Sequence, residues 1–178
     1  VVLLDKNNQP FDSNITFSDL QTVNYKYVIT NNGETTLTAD FVEYYLLDET
    51  LPFFDNVSGD DWTCTEIALG ASTSCGVVAS GEATVSLQDA VIEPQDQLVI
   101  DVFRKVSIPN GTLGLNIELL AAVFNTSSND TVKSNNVSYM EFGTTSNNLP
   151  TITSFQNQVL LEDSVSPEIG FVISDVET

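Results

Sequence analysis

The side chains of this sequence that could do chemistry are mostly carboxylates. Among 178 residues, 25 are Asp or Glu, five are Lys or Arg, and none is His. Without His, the usual base that activates a Ser or Cys nucleophile is missing, so a Lys base is the remaining option. That option rests on four scattered lysines: Lys6, Lys26, Lys105 and Lys133.

Paired acids of the kind that cleave glycosides occur at Asp48-Glu49 and Asp60-Asp61. Both pairs lie in predicted loops, where solvated surface charge is the usual role of an acid. We therefore predict that the chain is not an enzyme.

The two cysteines, Cys64 and Cys75, are close enough in sequence for a local disulfide. The chain between them is rich in Thr, Ser and Gly, which allow it to turn back. Two free thiols in the core are the alternative, and a zinc site is disfavoured because two thiolates need two further ligands in a chain without His. A disulfide fits an oxidising compartment, so we expect an extracellular or cell-surface location.

Aromatic side chains form a second candidate site. Tyr44, Tyr45, Phe53, Phe54 and Trp62 follow one another in a short stretch. Aromatic rings beside Asp or Asn side chains can hold sugar rings, so Tyr44 and Trp62 are the predicted ligand-binding residues if the chain is a carbohydrate-binding module. The alternative, which the sequence favours, is that Tyr45 and Trp62 pack in the interior of the fold.

The net charge of −20 argues against two classes of partner. Nucleic acids and anionic membrane surfaces are bound through clusters of Lys and Arg, and five scattered bases do not form a cluster. No apolar run reaches the length of about 18 to 20 residues that spans a bilayer. We therefore expect neither a nucleic-acid partner nor membrane insertion.

The composition predicts an all-β fold, because Val, Thr, Ser and Asn are abundant while Ala, Lys and Arg are scarce. Apolar residues alternate along 23–29, and Asn31-Asn32-Gly33 after them predicts a hairpin-type turn. Seven further strands are predicted, at 1–4, 15–20, 37–47, 83–87, 98–106, 113–124 and 137–142. Strands at this spacing favour a sandwich of two sheets.

A change of composition divides the chain into three parts. Residues 144–150 are predicted to be a linker, because they are mostly Thr, Ser and Asn and end in Pro. Residues 1–143 have the length of one globular domain. The segment 151–178 carries further predicted strands but is too short to bury a core, so we expect it to be the N-terminal part of a second domain.

The motifs of residues 1–143 resemble a known family. They are YKYVITNNGETT at 25–36, then Leu51-Pro52, Trp62-Thr63-Cys64 with Cys75, and Asn135-Asn136 before the last strand. This order resembles the immunoglobulin-like repeat of bacterial surface proteins called domain of unknown function 11, in which a YTYTVTNNG strand and turn is followed by LP, a cysteine-containing hairpin and a closing SN strand. In place of the usual Pro-Gly, this chain has Glu93-Pro94-Gln95-Asp96. The resemblance implies an immunoglobulin-like Greek-key β-sandwich.

The tail resembles a second family. Its segments LPTIT at 149–153, EDS at 162–164 and FVISDVET at 171–178 are similar to the opening of a cadherin-like tandem repeat of large secreted bacterial proteins. The tail would then be the first strands of a second sandwich, and the neighbouring repeats of the same chain would be its partners. Together, the resemblances imply a non-catalytic spacer or assembly module of an adhesin or extracellular fibre. The carbohydrate-binding module is the alternative.

Four acids of the tail are predicted calcium ligands: Glu162, Asp163, Asp175 and Glu177. Calcium takes six to eight oxygen ligands, and the last two acids are spaced so that both point from one side of a strand. The preceding Asn-Asn-Leu-Pro at 147–150 resembles the Asn-rich linker that closes such a site in cadherin-like repeats. The alternative is that these acids are ordinary members of a strongly acidic surface.

Self-association is predicted through edge strands. An open sandwich has edges with unpaired backbone groups, and either strand 1–4 or the strands after Pro150 can pair with such an edge on a neighbouring copy. Head-to-tail filaments are the expected product.

Overall fold

The computed structural model describes residues 1–12, 14–45, 54–55, 61–81, 84–108, 114, 116–125, 133–145, 151–152 and 173–174. Strands dominate these residues, together with one 3₁₀ helix at Lys133–Asn136. The strands are β1 (Val2–Asp5), β2 (Thr16–Phe17), β3 (Thr22–Thr30), β4 (Leu37–Tyr45), β5 (Phe54–Asp55), β6 (Trp62–Ile67), β7 (Ser80–Gly81), β8 (Ser86–Ile92), β9 (Gln97–Val106), β10 (Asn116–Asn125), β11 (Val137–Thr144), β12 (Thr151–Ile152) and β13 (Ile173–Ser174).

Two sheets form the sandwich. The first has the strand order β1-β3-β9-β6-β7, with β5 also paired to β9, and the second has the order β2-β11-β10-β4-β8. Neighbouring strands are antiparallel, except that β2 runs parallel to β11. The order β1-β3-β9-β6 in the first sheet and the order β11-β10-β4 in the second match the strand order of an immunoglobulin sandwich. The predicted all-β, immunoglobulin-like sandwich is confirmed.

The core lies between the two sheets because the central strands alternate strictly. Along β3, Val23, Tyr25, Tyr27 and Ile29 are buried, while the residues between them are half-buried. β9 repeats this pattern from Leu98 to Val106. Because successive side chains of a strand point to opposite faces, β3 and β9 each have one face in the core, as predicted for 23–29 and 98–106.

The predicted hairpin at Asn31-Asn32-Gly33 is wrong. β3 and β4 belong to different sheets, so residues 31–36 form an arch that crosses the sandwich. The reason is the side chain of Asn31, which is buried and donates hydrogen bonds from Nδ2 to the carbonyls of Thr35 (2.9 Å) and Ile92 (2.8 Å). Its Oδ1 accepts a hydrogen bond from the Gly33 amide at 3.0 Å, so the asparagine organises the arch from within.

The sandwich differs from the predicted strands in other details. The segment predicted at 83–87 forms β8 at Ser86–Ile92, and β5, β6 and β7 are additional strands. Alternation in β6 is weak, because its first residue is buried, Cys64 is partly buried and the rest are exposed. A strand near the side of a sheet has few core positions, so its sequence lacks the periodic signal.

The tail contributes one further pair of strands. Thr151 pairs with Ser174 and Ile152 with Ile173 in a separate antiparallel ladder. Of the further strands predicted in the tail, the one at 159–161 lies outside the described residues, and so does most of the predicted linker. The division of the chain at 144–150 therefore stays a prediction.

Candidate functional site

The predicted disulfide between Cys64 and Cys75 is present, with Cα atoms 6.1 Å apart. Cys64 lies on β6 and is partly buried, whereas Cys75 belongs to the core. The bond therefore ties the segment 73–81, which contains Cys75, to the first sheet.

This segment, residues 73–81, is here called the strap. On one side, Ser74 exchanges two hydrogen bonds with Val91 of β8, with N···O distances of 2.8 and 2.9 Å. On the other side, the Cys64 amide donates to the carbonyl of Ala79 at 2.6 Å. The strap thus covers the side of the sandwich between β6 of the first sheet and β8 of the second, and it satisfies backbone groups that an open edge would expose.

A buried carboxylate fixes the loop that leads into the strap. Asp96 accepts hydrogen bonds from the Leu69 amide (3.0 Å) and from the Thr73 hydroxyl. The Thr73 hydroxyl oxygen in turn accepts one from the Glu93 amide at 3.0 Å. The Leu69 amide, followed by the Thr73 hydroxyl, holds the pKa of Asp96 below its usual value. Asp96 ends the segment Glu93-Pro94-Gln95-Asp96, which stands in place of the Pro-Gly of the repeat that the sequence resembles; this departure was the available signal, but it does not predict a buried carboxylate.

A buried ion pair links the two sheets. Glu43 of β4 is 0% exposed and Arg104 of β9 is 1% exposed, and their side chains form a hydrogen-bonded salt bridge. The hydroxyls of Tyr25 and Tyr27 both donate to Glu43 Oε1, at 2.6 and 2.7 Å. Burial and then the Glu43 charge raise the pKa of both phenols well above the usual value, so they remain donors.

No motif of the sequence predicts this network. Glu43 shares its strand face with Phe41, and Arg104 shares its face with Val102, so both charged residues stand at inward positions. The available signal was this spacing, because each charged residue lies two positions from an inward apolar residue of its strand. Because Glu43 is sealed from solvent, its carboxylate acts as a structural brace and offers no atom to a substrate.

The structure separates the two predicted ligand-binding aromatics. Trp62 is 2% exposed in the core, with Gly81 against its ring, whereas Tyr44 stands on the outer face of β4 in the other sheet. A ring without an exposed face cannot stack on a sugar, so Trp62 has the core-packing role that the sequence favoured. The predicted sugar-binding platform around Trp62 is therefore wrong. Tyr44 remains accessible to a ligand, because its side chain is exposed.

The four predicted calcium ligands, Glu162, Asp163, Asp175 and Glu177, lie outside the described residues. Within the described ranges, no three His, Cys, Asp or Glu side chains are grouped closely enough to hold a metal ion. The same part of the chain contains no helix with the length and apolar character of a bilayer-spanning segment.

Val1 and Thr145 lie at opposite ends of the sandwich. At the proximal end, the Val1 amino group donates to the carbonyl of Asn135, just before β11 starts. At the distal end, past the last residue of β11, the Thr145 amide donates to the carbonyl of Phe17. The length of β11 between these points is about 25 Å at the usual rise per residue.

Comparisons with known proteins give no family. No family model matches the sequence, and no curated protein sequence is similar to it. Among solved structures, the chain is similar to AvmM, which catalyses macrocyclization in alchivemycin A biosynthesis, with 8% identity, coverage of 80% of this chain and 86% of that one, and a TM-score of 0.41.

Two further structures are similar at the same level. The N-terminal domain of PorA shares 11% identity over 80% of this chain and 96% of its own, with a TM-score of 0.28. A family 123 glycoside hydrolase from Clostridium perfringens shares 10% identity over 76% of this chain and 23% of its own, with a TM-score of 0.34. All three TM-scores are low, so these similarities carry no argument about function.

Proposed function

We propose that this chain is a non-catalytic spacer or assembly module of a large secreted bacterial surface protein. The observation that carries the proposal is the position of Val1 and Thr145 at opposite ends of the sandwich. A domain that the chain crosses from end to end adds its full length to a tandem array. A domain whose two ends were adjacent would add little length to the array.

The bracing of the sandwich supports the same role. The disulfide and the strap close one side, and the ion pair between Glu43 and Arg104 joins the sheets from within. Structural disulfides persist in oxidising compartments, which supports an extracellular or cell-surface location.

The spacer role is tested by joining two and three copies of the chain in tandem and measuring small-angle X-ray scattering. We expect the maximum dimension to increase by at least about 25 Å with each added copy, from the strand rise. The control replaces 144–150 with Gly and Ser, which makes the connection flexible and broadens the distribution of lengths. Tandem copies that fold back to the dimensions of one copy would contradict the proposal.

Calcium binding at the junction is part of the proposal. The pairing of Thr151 with Ser174 supports it, because Thr151 directly follows the linker in sequence and Ser174 directly precedes Asp175. The test is the melting temperature of a protein that contains the complete second repeat, in millimolar calcium and in chelator. We expect a calcium-dependent rise that Asp163→Asn and Asp175→Asn reduce. Equal melting temperatures with and without calcium would end this part of the proposal.

Self-association through an edge strand is the remaining part. β1 lies at one end of the order of the first sheet, and Val2 on it is exposed. A lysine on an edge strand opposes pairing with a second chain. We expect sedimentation velocity to show concentration-dependent assembly that Val2→Lys abolishes and Phe103→Lys, at an exposed position of β9 between β3 and β6, leaves intact. Assembly that persists in Val2→Lys would exclude β1 as the linking edge.

A further inference from the structure

The outer face of the second sheet is unusually apolar. β10 buries Leu119, Ala121 and Val123 in the core, yet its outward residues include Leu120 and Phe124. An antiparallel sheet with one solvated face normally has polar residues on that face. The uninterrupted apolar run from Leu119 to Phe124 is therefore more than the sandwich needs for its own core.

Aromatic rings continue this surface onto the neighbouring strands. Leu120 stands opposite Tyr139 of β11 on one side and Tyr44 of β4 on the other, so the three side chains form one row across the sheet. Tyr139 is 50% exposed and Tyr44 is 44% exposed. Because neighbouring strands are about 4.8 Å apart, the two tyrosine backbones are about 10 Å apart. With Phe124 and Val137, both about half-exposed, this row forms the surface here called the aromatic face.

Carboxylates border the aromatic face. Glu118 and Glu141 stand directly opposite each other on β10 and β11, one row away from Tyr139. The Tyr139 hydroxyl donates to Glu141 Oε2 at 3.4 Å, and Asp40 of β4 stands opposite Phe124. Like charges in directly opposed positions destabilise a sheet, so the glutamate pair lowers the stability of the fold.

The charge of this face is one-sided. Among the described strand residues of the second sheet there is no Lys or Arg. The outer face of the first sheet differs, because it contains Lys26, which pairs with Asp101 at 3.7 Å, and Lys105. The aromatic face therefore offers apolar rings and hydrogen-bond acceptors to a ligand that brings hydroxyl donors.

We propose that the aromatic face binds a neutral polysaccharide, whose sugar rings stack on Tyr44 and Tyr139 while Glu118 and Glu141 accept hydrogen bonds from its hydroxyls. A pyranose has an apolar face that suits an aromatic ring and an equatorial belt of hydroxyls that suits carboxylates. This function goes beyond the spacer role and does not depend on it.

Charge argues against the other occupants of this surface. A second copy docked through the same face would bring the Glu118, Glu141 and Asp40 side chains of both copies into one interface, in a protein of net charge −20. Nucleic acids and sulfated or uronic-acid polysaccharides are repelled for the same reason. A basic protein partner is the occupant that the experiment must separate from a neutral glycan.

The experiment is affinity electrophoresis of the full chain in native gels that contain arabinoxylan, mixed-linkage β-glucan, mannan or dextran as neutral probes, or alginate as an anionic one. Tyr139→Ala and Tyr44→Ala remove the two rings, and Tyr139→Phe keeps the ring without its hydroxyl. Phe103→Ala is the matched control, because Phe103 is 42% exposed on the outer face of the first sheet. Binding of poly-lysine is measured in parallel as the probe for a basic partner.

We expect retardation by at least one neutral polysaccharide and none by alginate. Each tyrosine-to-alanine change is expected to weaken binding by about tenfold or more, as for a central aromatic contact, while Tyr139→Phe and Phe103→Ala bind as the wild type does. Three results would overturn the proposal: no retardation by any of the neutral polysaccharides, equal loss in Phe103→Ala, or binding of poly-lysine alone.

Discussion

Replacing Glu43 with Gln removes the negative charge from the buried network and keeps the shape of the side chain. The tyrosine hydroxyls can still donate to the amide oxygen, so the main loss is the counter-charge of Arg104, which is 1% exposed. Breaking one partner of a buried ion pair costs about 3 to 5 kcal/mol, because the remaining charge stays desolvated. We expect Glu43→Gln to lower the free energy of unfolding by that amount.

Urea denaturation followed by tryptophan fluorescence measures this loss. With an m value of about 2 kcal/mol/M, the midpoint should fall by roughly 1.5 to 2.5 M. Arg104→Met should cost a similar amount, whereas the double variant Glu43→Gln/Arg104→Met should cost much less than the sum of the two, because neither charge is then left alone. The control is Asp101→Asn, which breaks the more exposed pair with Lys26 and should cost under about 1 kcal/mol.

Two results would refute this reasoning. Additive losses in the double variant would show that Glu43 and Arg104 do not interact energetically. A loss for Glu43→Gln no greater than that for Asp101→Asn would show that burial of the pair has no energetic consequence. The midpoints are comparable when the m values are equal, since a changed m value reports a different denatured or native state.

Three further changes test the strap and the loop before it. Reduction of the disulfide, or Cys64→Ser with Cys75→Ser, should lower the free energy of unfolding by about 3 kcal/mol in urea denaturation, and an unchanged midpoint would deny the bond a stabilising role. Gly76→Ala should cost about 2 kcal/mol or more, because φ is 88° and an added Cβ would lie 2.0 Å from a carbonyl oxygen of β8; Gly70→Ala, which meets open space, is the control. Asp96→Asn should lower the melting temperature at neutral pH. Because the pKa of Asp96 is lowered by folding, its stabilisation is present above its ordinary value of 3.8 and is lost as the pH falls below it, so the difference from wild type should shrink in acid. A difference that is constant with pH would contradict that assignment.

The sequence predicts the sandwich well where a strand has one buried face and one open face. β3 and β9 alternate over nearly their whole length, so both were located within one residue at each end. The Cys64–Cys75 bond could also be predicted from the sequence, because it depends on a local chain reversal. These features are encoded in short stretches of sequence, which periodicity and spacing can detect.

The features that sequence reasoning missed depend on residues far apart in the chain. Asn-Asn-Gly has the composition of a tight turn, but Asn31 bonds to Ile92 across the sandwich and makes an arch. Glu43 and Arg104 are 61 positions apart, and no local pattern indicates that two inward charges will meet. Likewise, Tyr139 joins Tyr44 only because β10 lies between their strands. Strand order decides such pairings, and periodicity does not reveal it.

The opposite positions of Val1 and Thr145 determine how the domain would carry a mechanical load. Tension between the two ends pulls β1 along β3 and β11 along β2 and β10, so the ladder hydrogen bonds are loaded in shear and must break together. Once these strands part, the disulfide still holds the loop between Cys64 and Cys75, which are 11 positions apart, out of the extending chain. The stretched polypeptide is therefore shorter by roughly 30 Å than the reduced one, a step that single-molecule force spectroscopy resolves.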